Sequence, residues 1–317
     1  MTGAVIAVDI GGTTVKAAVV DDRGRRRSRR EAPSLGGDDT VAAVRSMIDG
    51  LRAEAAAAGL DVLAAGVVTP GLVDASTGRI AYASNLGWRD FDLRGALETE
   101  LRLPVSVGHD VRAAGRAEAQ LGAARGASDF VLLQLGTGIA AAVMTGGVLV
   151  TGAGSAAGEA GHMPVYPGGE DCPCGKRGCL EAYAAGAAVP RRYRAAGGTG
   201  ASTAREVTAL LGRDALADQV WTEATTALAF GLNTLTMMLD PALIVLGGGM
   251  ALAGDALLKP VSAALSELLV WRAAPPLRLS SVGPAAGQLG AAIEAFALTG
   301  SAACVDEWTS GPAGCPE

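Results

Sequence analysis

Four residues in one short stretch have the types and spacing to hold a metal ion. His162 is followed by Cys172-Pro173-Cys174 and, after Gly175-Lys176-Arg177-Gly178, by Cys179. Three thiolates and an imidazole make a four-ligand structural zinc set. Gly and Pro between the thiols let a short loop wrap a small ion. The chain has only two histidines, and one of them lies just ahead of this cluster. Four protein ligands leave no open position, so such an ion would order its loop rather than act as a Lewis acid. Three reduced thiols in an ordinary loop are the alternative.

Three glycine-rich turns could approach phosphate. Asp9-Ile10-Gly11-Gly12-Thr13-Thr14-Val15-Lys16 closes a strand-like run. Paired glycines bring backbone N–H groups close to an anion, a Thr hydroxyl adds a donor, and Asp9 could hold magnesium through water. The Gx4GK[ST] spacing of P-loop enzymes is absent from this motif. Leu135-Gly136-Thr137-Gly138 offers the same chemistry, and a triphosphate needs donors on more than one side. Gly247-Gly248-Gly249 stands between a buried strand and a helix, where a flat ligand or a phosphate can come close. Plain hairpins and close strand–helix packing would read the same way.

A carboxylate at a strand end completes the set. Phosphoryl transfer to an alcohol needs a base aimed at the hydroxyl. Asp110, in His109-Asp110 at the start of a helix, has that placement, and a helix N-cap would have it too.

The elements that must carry these residues follow from periodicity. Strands are expected over 5–10, 15–20, 62–68, 105–107, 130–135, 139–144, 243–246 and 277–281. Helices are expected over 40–58, 93–101, 110–124, 214–239, 255–271 and 288–298, and Thr203 with Glu206 forms a capping box opening another. Strand, Gly-Thr turn, strand occurs twice, at 5–20 and 130–144, which suggests two α/β halves. The basic run from Arg23 to Arg30 is expected as a solvated hairpin.

Composition limits the function classes. The chain has 317 residues, enough for about two domains. Its net charge is −6, whereas a nucleic-acid binder would show a basic domain or stripe. No secretory leader precedes the first strand, and no apolar run reaches the length of a membrane span. The chain is therefore expected to be cytoplasmic, and five cysteines, an odd number, in such a chain argue against a disulfide framework.

These pieces, in this order, resemble the ROK family (repressors, open reading frames and kinases), within the hexokinase, actin and heat-shock ATPase superfamily. The resemblance runs from about Val5 to Leu298, and the Gly161-His162 segment with Cys172-x-Cys174-x4-Cys179 is its most specific part. It implies an α/β, two-domain, actin-like or hexokinase-like (ribonuclease H-like) fold with a central cleft and a zinc-binding loop. The expected division is 1–117, 118–300 with the last helix packing back on the first domain, and a poorly ordered tail over 301–317.

The resemblance also implies roles. Asp9, Gly11, Gly12, Thr13 and Lys16 fall in the first phosphate motif, Gly136, Thr137 and Gly138 in the second, and Gly247, Gly248 and Gly249 on the adenosine side. Asp110 matches the catalytic base. Gly71, Asn85, His109, Glu159, His162 and Glu181 fall at sugar-binding positions, with His162 serving metal and sugar through different ring nitrogens. Where this chain has His109 the family commonly has Asn, so the contact is replaced, sugar preference shifted, or activity weakened. The implied protein is a cytoplasmic glucokinase-like transferase of carbohydrate metabolism. It would use ATP and magnesium, carry structural zinc and form a homodimer.

Three alternatives differ in what they require. Kinases of N-acetylglucosamine, N-acetylmannosamine or fructose need only a reshaped sugar site. A sugar-binding protein without catalysis would have no use for Asp9, Asp110 and both loops. A repressor needs a DNA-binding domain, for which the eight residues ahead of Asp9 leave no room, so at most a sugar-sensing regulator without one is expected.

Overall fold

The computed structural model describes residues 2–308. By internal contacts the chain divides into two units. One comprises the residues up to Gly126, Thr151–Ala157 and those from Pro284 on; the other comprises Ala127–Val150 and Gly158–Gly283. The first break falls beyond the expected 117/118 boundary because the helix there runs to Leu121. Its buried Glu118 then accepts the Ala123 N–H at 2.7 Å, sealing the end.

Unit 1 is built on a five-stranded sheet. The chain supplies β1 (Thr2–Ile10), β2 (Thr14–Asp21), β3 (Arg26–Pro33), α1 (Gly37–Ala57), β4 (Leu60–Thr69), β5 (Leu72–Asp74), β6 (Arg79–Ala83), β7 (Trp88–Asp92), α2 (Leu93–Leu101), β8 (Val105–His109) and α3 (Asp110–Leu121). The sheet order is β3-β2-β1-β4-β8, with β1-β4 and β4-β8 parallel and the hairpin strands antiparallel. Val5 to Val8 and Ala64 to Val68 are near-continuous apolar runs because helices cover both faces. β5, β6 and β7 form a separate small sheet that the sequence pattern did not reveal.

Unit 2 repeats this plan. It contains β9 (Phe130–Leu135), β10 (Ile139–Thr145), β11 (Val148–Leu149), α4 (Leu180–Ala184), α5 (Ala188–Ala195), α6 (Ala204–Ala209), α7 (Ala215–Leu239), β12 (Leu243–Gly247), α8 (Asp255–Leu268) and β13 (Leu277–Leu279). Its sheet order, β11-β10-β9-β12-β13, matches that of unit 1 position for position, antiparallel hairpin strands followed by parallel ones. The capping box at Thr203 and Glu206 opens α6, and Asp214 caps α7.

The last helix, α9 (Ala286–Leu298), lies in unit 1 against α3, β1, β4 and β8. Small residues permit the close approach. A Cβ on Gly66 would overlap the Ala291 carbonyl, and one on Gly290 would overlap Ala113. Gln288 donates from Nε2 to the Ala7 carbonyl at 3.3 Å, tying the helix to β1.

The basic run lies in a hairpin, as expected: the chain turns at Asp21 to Gly24, and Arg26 to Arg30 return in the half-exposed edge strand β3, antiparallel to β2, where Arg30 pairs with Glu54 at 2.7 Å. Two expectations are corrected. Helix α8 stops at Leu268, leaving Val270 and Trp271 exposed. Residues 301–308 are not a loose tail: Ala302–Glu307 form a 3-10 turn, and Trp308 is buried. Its indole donates to the Asp22 carbonyl at 2.9 Å and meets the Phe296 ring edge-on. Residues 309–317, with Cys315, lie outside the described residues. No described helix is long and apolar enough to cross a membrane.

Candidate functional site

Strand register decides which residues of unit 1 meet. Asp9 on β1 pairs with Val68 on β4, and the next residue, Thr69, pairs with His109 on β8. The carboxyl ends of the parallel strands therefore place Asp9 and His109-Asp110 on one edge of the sheet, where open α/β sheets bind ligands. The first turn of α9 touches both. A Cβ on Gly287 would stand 3.0 Å from Asp9 Oδ2 and 3.7 Å from the Asp110 carbonyl oxygen.

Asp110 is the first residue of α3, and His109, not Asp110, is its N-cap. The Val111 N–H donates to Asp110 Oδ1 at 2.7 Å and to His109 Nδ1 at 3.2 Å. The Asp110 side chain is 29% exposed. Burial pushes its carboxyl up to about 6, against the opposing pull of the Val111 N–H and the Arg112 guanidinium. Burial, helped by the charge of Asp110, also pushes Asp9 up to about 6, opposed by Lys16. Lys16 is the cross-strand partner of Asp9 and is exposed.

The first glycine turn is fastened from outside. Ser34 donates its hydroxyl to the Gly11 carbonyl at 2.6 Å and its N–H to Thr13 at 3.0 Å. A Cβ on Gly12 would lie 3.4 Å from Asn85 Nδ2, so the turn and this amide are neighbours. Asn85 sits in a 3-10 turn, Ser84–Leu86. Gly71 has φ 110, a region L side chains avoid, and a Cβ there would press on Ala83.

In unit 2 the second turn is closed by the Gly136 N–H donating to Gly138 at 2.9 Å. Glu181 on α4 accepts the Ile139 N–H through Oε2 at 2.9 Å, and Gly186 donates to the Gly136 carbonyl at 2.8 Å. Glu159 leads directly into the 3-10 turn Ala160–His162, so Glu159 and His162 share one turn.

The ligand atoms of His162, Cys172, Cys174 and Cys179 all lie within 4.8 Å of one another, a set able to hold a metal ion. Cys172 Sγ is 3.8 Å from His162 Nδ1, and the Cys174 and Cys179 sulfurs are 3.7 Å apart. The loop is built by local bonds: Cys172 N–H to the Lys176 carbonyl at 2.9 Å and Leu180 N–H to Met163 at 2.9 Å. Burial pushes the Cys172 thiol up to about 12.

The three glycines after β12 have different surroundings. A Cβ on Gly247 would strike the Gln134 side chain, and one on Gly248, at φ 84, would strike the backbone of Leu135. Around Gly249 there is open space. It borders a pocket of about 300 Å³ lined by Arg205, Thr208, Trp221, Met250 and Leu252 among others. Arg205, Thr208 and Trp221 were not anticipated. The capping box located α6, but its spacing does not say which face meets the pocket.

The ROK family model matches residues 5–297. The glucokinase of Halalkalibacterium halodurans is 34% identical, across 90% of this chain and 92% of its own length. The ROK hexokinase from Thermus thermophilus is 36% identical over 93% of this chain and 98% of its own, with a TM-score of 0.79. A ROK glucokinase from Streptomyces griseus, solved with glucose and AMPPNP, is 30% identical over 93% of this chain and 100% of its own, with a TM-score of 0.82. Likeness of that reach, from the first glycine turn to the last helix, makes this chain a member of the ROK family.

Proposed function

We propose that the protein is a hexose kinase that transfers the γ-phosphoryl group of ATP to glucose, giving glucose 6-phosphate. The observation that carries the reading is the pair of half-buried aspartates, Asp9 and Asp110, that the strand register brings to one edge at the carboxyl ends of the parallel strands, with Gly287 of α9 beside the Asp9 carboxylate and the Asp110 backbone. Asp110 is the general base. A carboxyl group near 6 is ionised at neutral pH yet basic enough to take a hydroxyl proton as the oxygen attacks phosphorus.

Asn85, His109, Glu159, His162 and Glu181 are the proposed sugar ligands, beside Gly71. A ring of paired hydroxyls suits such a set, because a missing hydroxyl strands a buried polar group. Gly11, Gly12 and Thr13 with Lys16, and Gly136, Thr137 and Gly138, cradle the phosphates. Gly247 and Gly248 shape the adenosine side, and Gly249 with its pocket receives the adenosine. Magnesium bound with the nucleotide neutralises phosphate charge; Asp9 would hold it through water.

The metal we assign to the cysteine loop is zinc. Two sulfurs on bonds of about 2.3 Å at a tetrahedral centre stand about 3.8 Å apart, close to the 3.7 Å between Cys174 and Cys179. His162 turns Nδ1 toward Cys172, which leaves Nε2 for a sugar hydroxyl. A cytoplasmic homodimer is part of the same proposal.

Product identification tests the reading. Wild-type protein with ATP and magnesium is offered glucose, fructose, N-acetylglucosamine and N-acetylmannosamine, and products are read by phosphorus and carbon NMR. Glucose 6-phosphate as the principal product is expected. Phosphorylation of another sugar alone would move the substrate assignment, and no sugar phosphate at all would end the kinase reading.

A further inference from the structure

The step from β8 into α3 brings two proton-accepting groups together. His109 is 6% exposed, and its Nδ1 lies 3.2 Å from Asp110 Oδ1. The Val111 N–H is shared between them, 3.2 Å from the nitrogen and 2.7 Å from the oxygen. A donor aimed at Nδ1 makes that nitrogen an acceptor, so the neutral ring carries its proton on Nε2. The N-terminus of α3 disfavours a resting cation at this spot. The resting pair is thus a carboxylate and a neutral imidazole whose Nδ1 and Oδ1 share one donor, the Val111 N–H.

We propose that His109 is the second proton acceptor of the site, taking at Nδ1 the proton that Asp110 removes from the sugar hydroxyl. The proposal rests on the kinase reading above. In the transfer, the hydroxyl O–H bond breaks and its proton goes to Asp110. The oxygen's electron pair forms the new bond to the γ-phosphorus. The bond from that phosphorus to the bridging oxygen breaks, and ADP leaves with the pair. Once the proton is on Oδ1 it crosses to Nδ1 while the Val111 N–H passes wholly to the carboxylate so restored, and the imidazolium then releases the proton to water.

The surroundings suit this exchange. Asp110 is pushed up to about 6, so its carboxylate is basic enough to take the hydroxyl proton and hand it on. Of the elements packed on β8, β4 places the uncharged Thr69 beside His109. On α2, Glu98 is committed to the Val105 N–H at 2.9 Å, and on β5, Asp74 is committed to Ser76 at 2.6 Å. α3 supplies the Arg112 cation. α9 sets Glu294 against Gly108, with Arg116 3.5 Å from its carboxylate, and β1 supplies Asp9 near Asp110. Burial pushes the Glu294 carboxyl up to about 7, against the pull of Arg116 and Arg112, so the nearby carboxylates that favour the transient imidazolium are Asp110 and Asp9.

The sequence has only two histidines, so the ring signals of His109 can be followed by proton NMR and assigned by their loss in His109→Asn. Asn caps a helix at least as well as His, so a role confined to capping predicts no change in that variant. Proton sharing predicts that Asp110→Asn lowers the His109 titration midpoint by about one pH unit or more. It also predicts that the acid limb of kcat/KM in His109→Asn moves to lower pH, because the first proton no longer has two sites. Plateau kcat should fall about tenfold or more. A midpoint indifferent to Asp110→Asn, or a His109→Asn profile superimposed on wild type, would overturn the proposal. Wild-type protein that turns over no sugar would instead remove the kinase reading, and the NMR coupling would still decide whether the two groups share a proton.

Discussion

Glu181 accepts the Ile139 N–H at 2.9 Å, so one carboxylate on α4 fixes the residue that closes the second glycine turn. A Cβ on Gly138 would stand 2.6 Å from the same oxygen. As a proposed sugar ligand, Glu181 therefore joins sugar recognition to the shape of a phosphate loop within one unit. Glu181→Ala frees the turn and removes the ligand together. Steady-state kinetics should show KM for both ATP and sugar rising about tenfold or more. Glu181→Gln keeps an acceptor oxygen and should cost less on the ATP side.

Gly249 separates packing from binding. Gly247 and Gly248 abut Gln134 and Leu135, but nothing lies within 4 Å of a Cβ built on Gly249. Gly249→Val should therefore fold with a melting temperature within a few degrees of wild type while filling part of the adjoining pocket. KM for ATP should rise about tenfold, with sugar KM nearly unchanged. A rise in sugar KM alone would assign that pocket to something other than nucleotide.

Metal removal should act through pH as well as through structure. Cys172 must lose a proton to bind metal, and burial pushes its thiol up to about 12. Binding therefore releases protons, and affinity weakens as pH falls. Metal analysis should find one zinc per chain, lost in Cys179→Ser. Its loss should lower the melting temperature by about 5 °C or more and raise sugar KM, since His162 and Glu181 flank the loop.

Asp110 should cost stability where it works. Its folded value of about 6 exceeds the ordinary 3.8, so between those values the folded state binds more protons than the unfolded state. Stability then falls as pH rises through this window and stays lower above it. Asp110→Asn removes that charge. Denaturant unfolding should find the variant more stable by about 1–2 kcal/mol at pH 8, with the difference shrinking toward pH 4.

Chemistry-bearing spacing was the most legible part of the sequence. The His162 and cysteine set is local in sequence, so its convergence needed only a short loop. The capping box at Thr203 and Glu206 and the apolar run of β9 are likewise local signals. Elements whose reason is remote were harder to see. β3 has no apolar face, since Arg26 to Arg30 read as solvated charge, and its strand form comes from pairing with β2. Trp308 stands in a polar tail without periodicity, and its burial depends on Phe296 and the Asp22 carbonyl. The meeting of Asp9 with Asp110 depends on the β1-β4-β8 register and on Gly287, about 280 positions away from Asp9, and no local pattern reports that.

As the proposed base of a sugar phosphoryl transfer, Asp110 should be needed for turnover. ADP release from purified protein with ATP, magnesium and glucose, beside Asp110→Ala, tests it most directly. Sugar-dependent ADP release is expected in wild type, with a fall of about 10²-fold or more in the variant and its thermal unfolding still cooperative. Sugar-dependent turnover of similar rate in folded Asp110→Ala would contradict it.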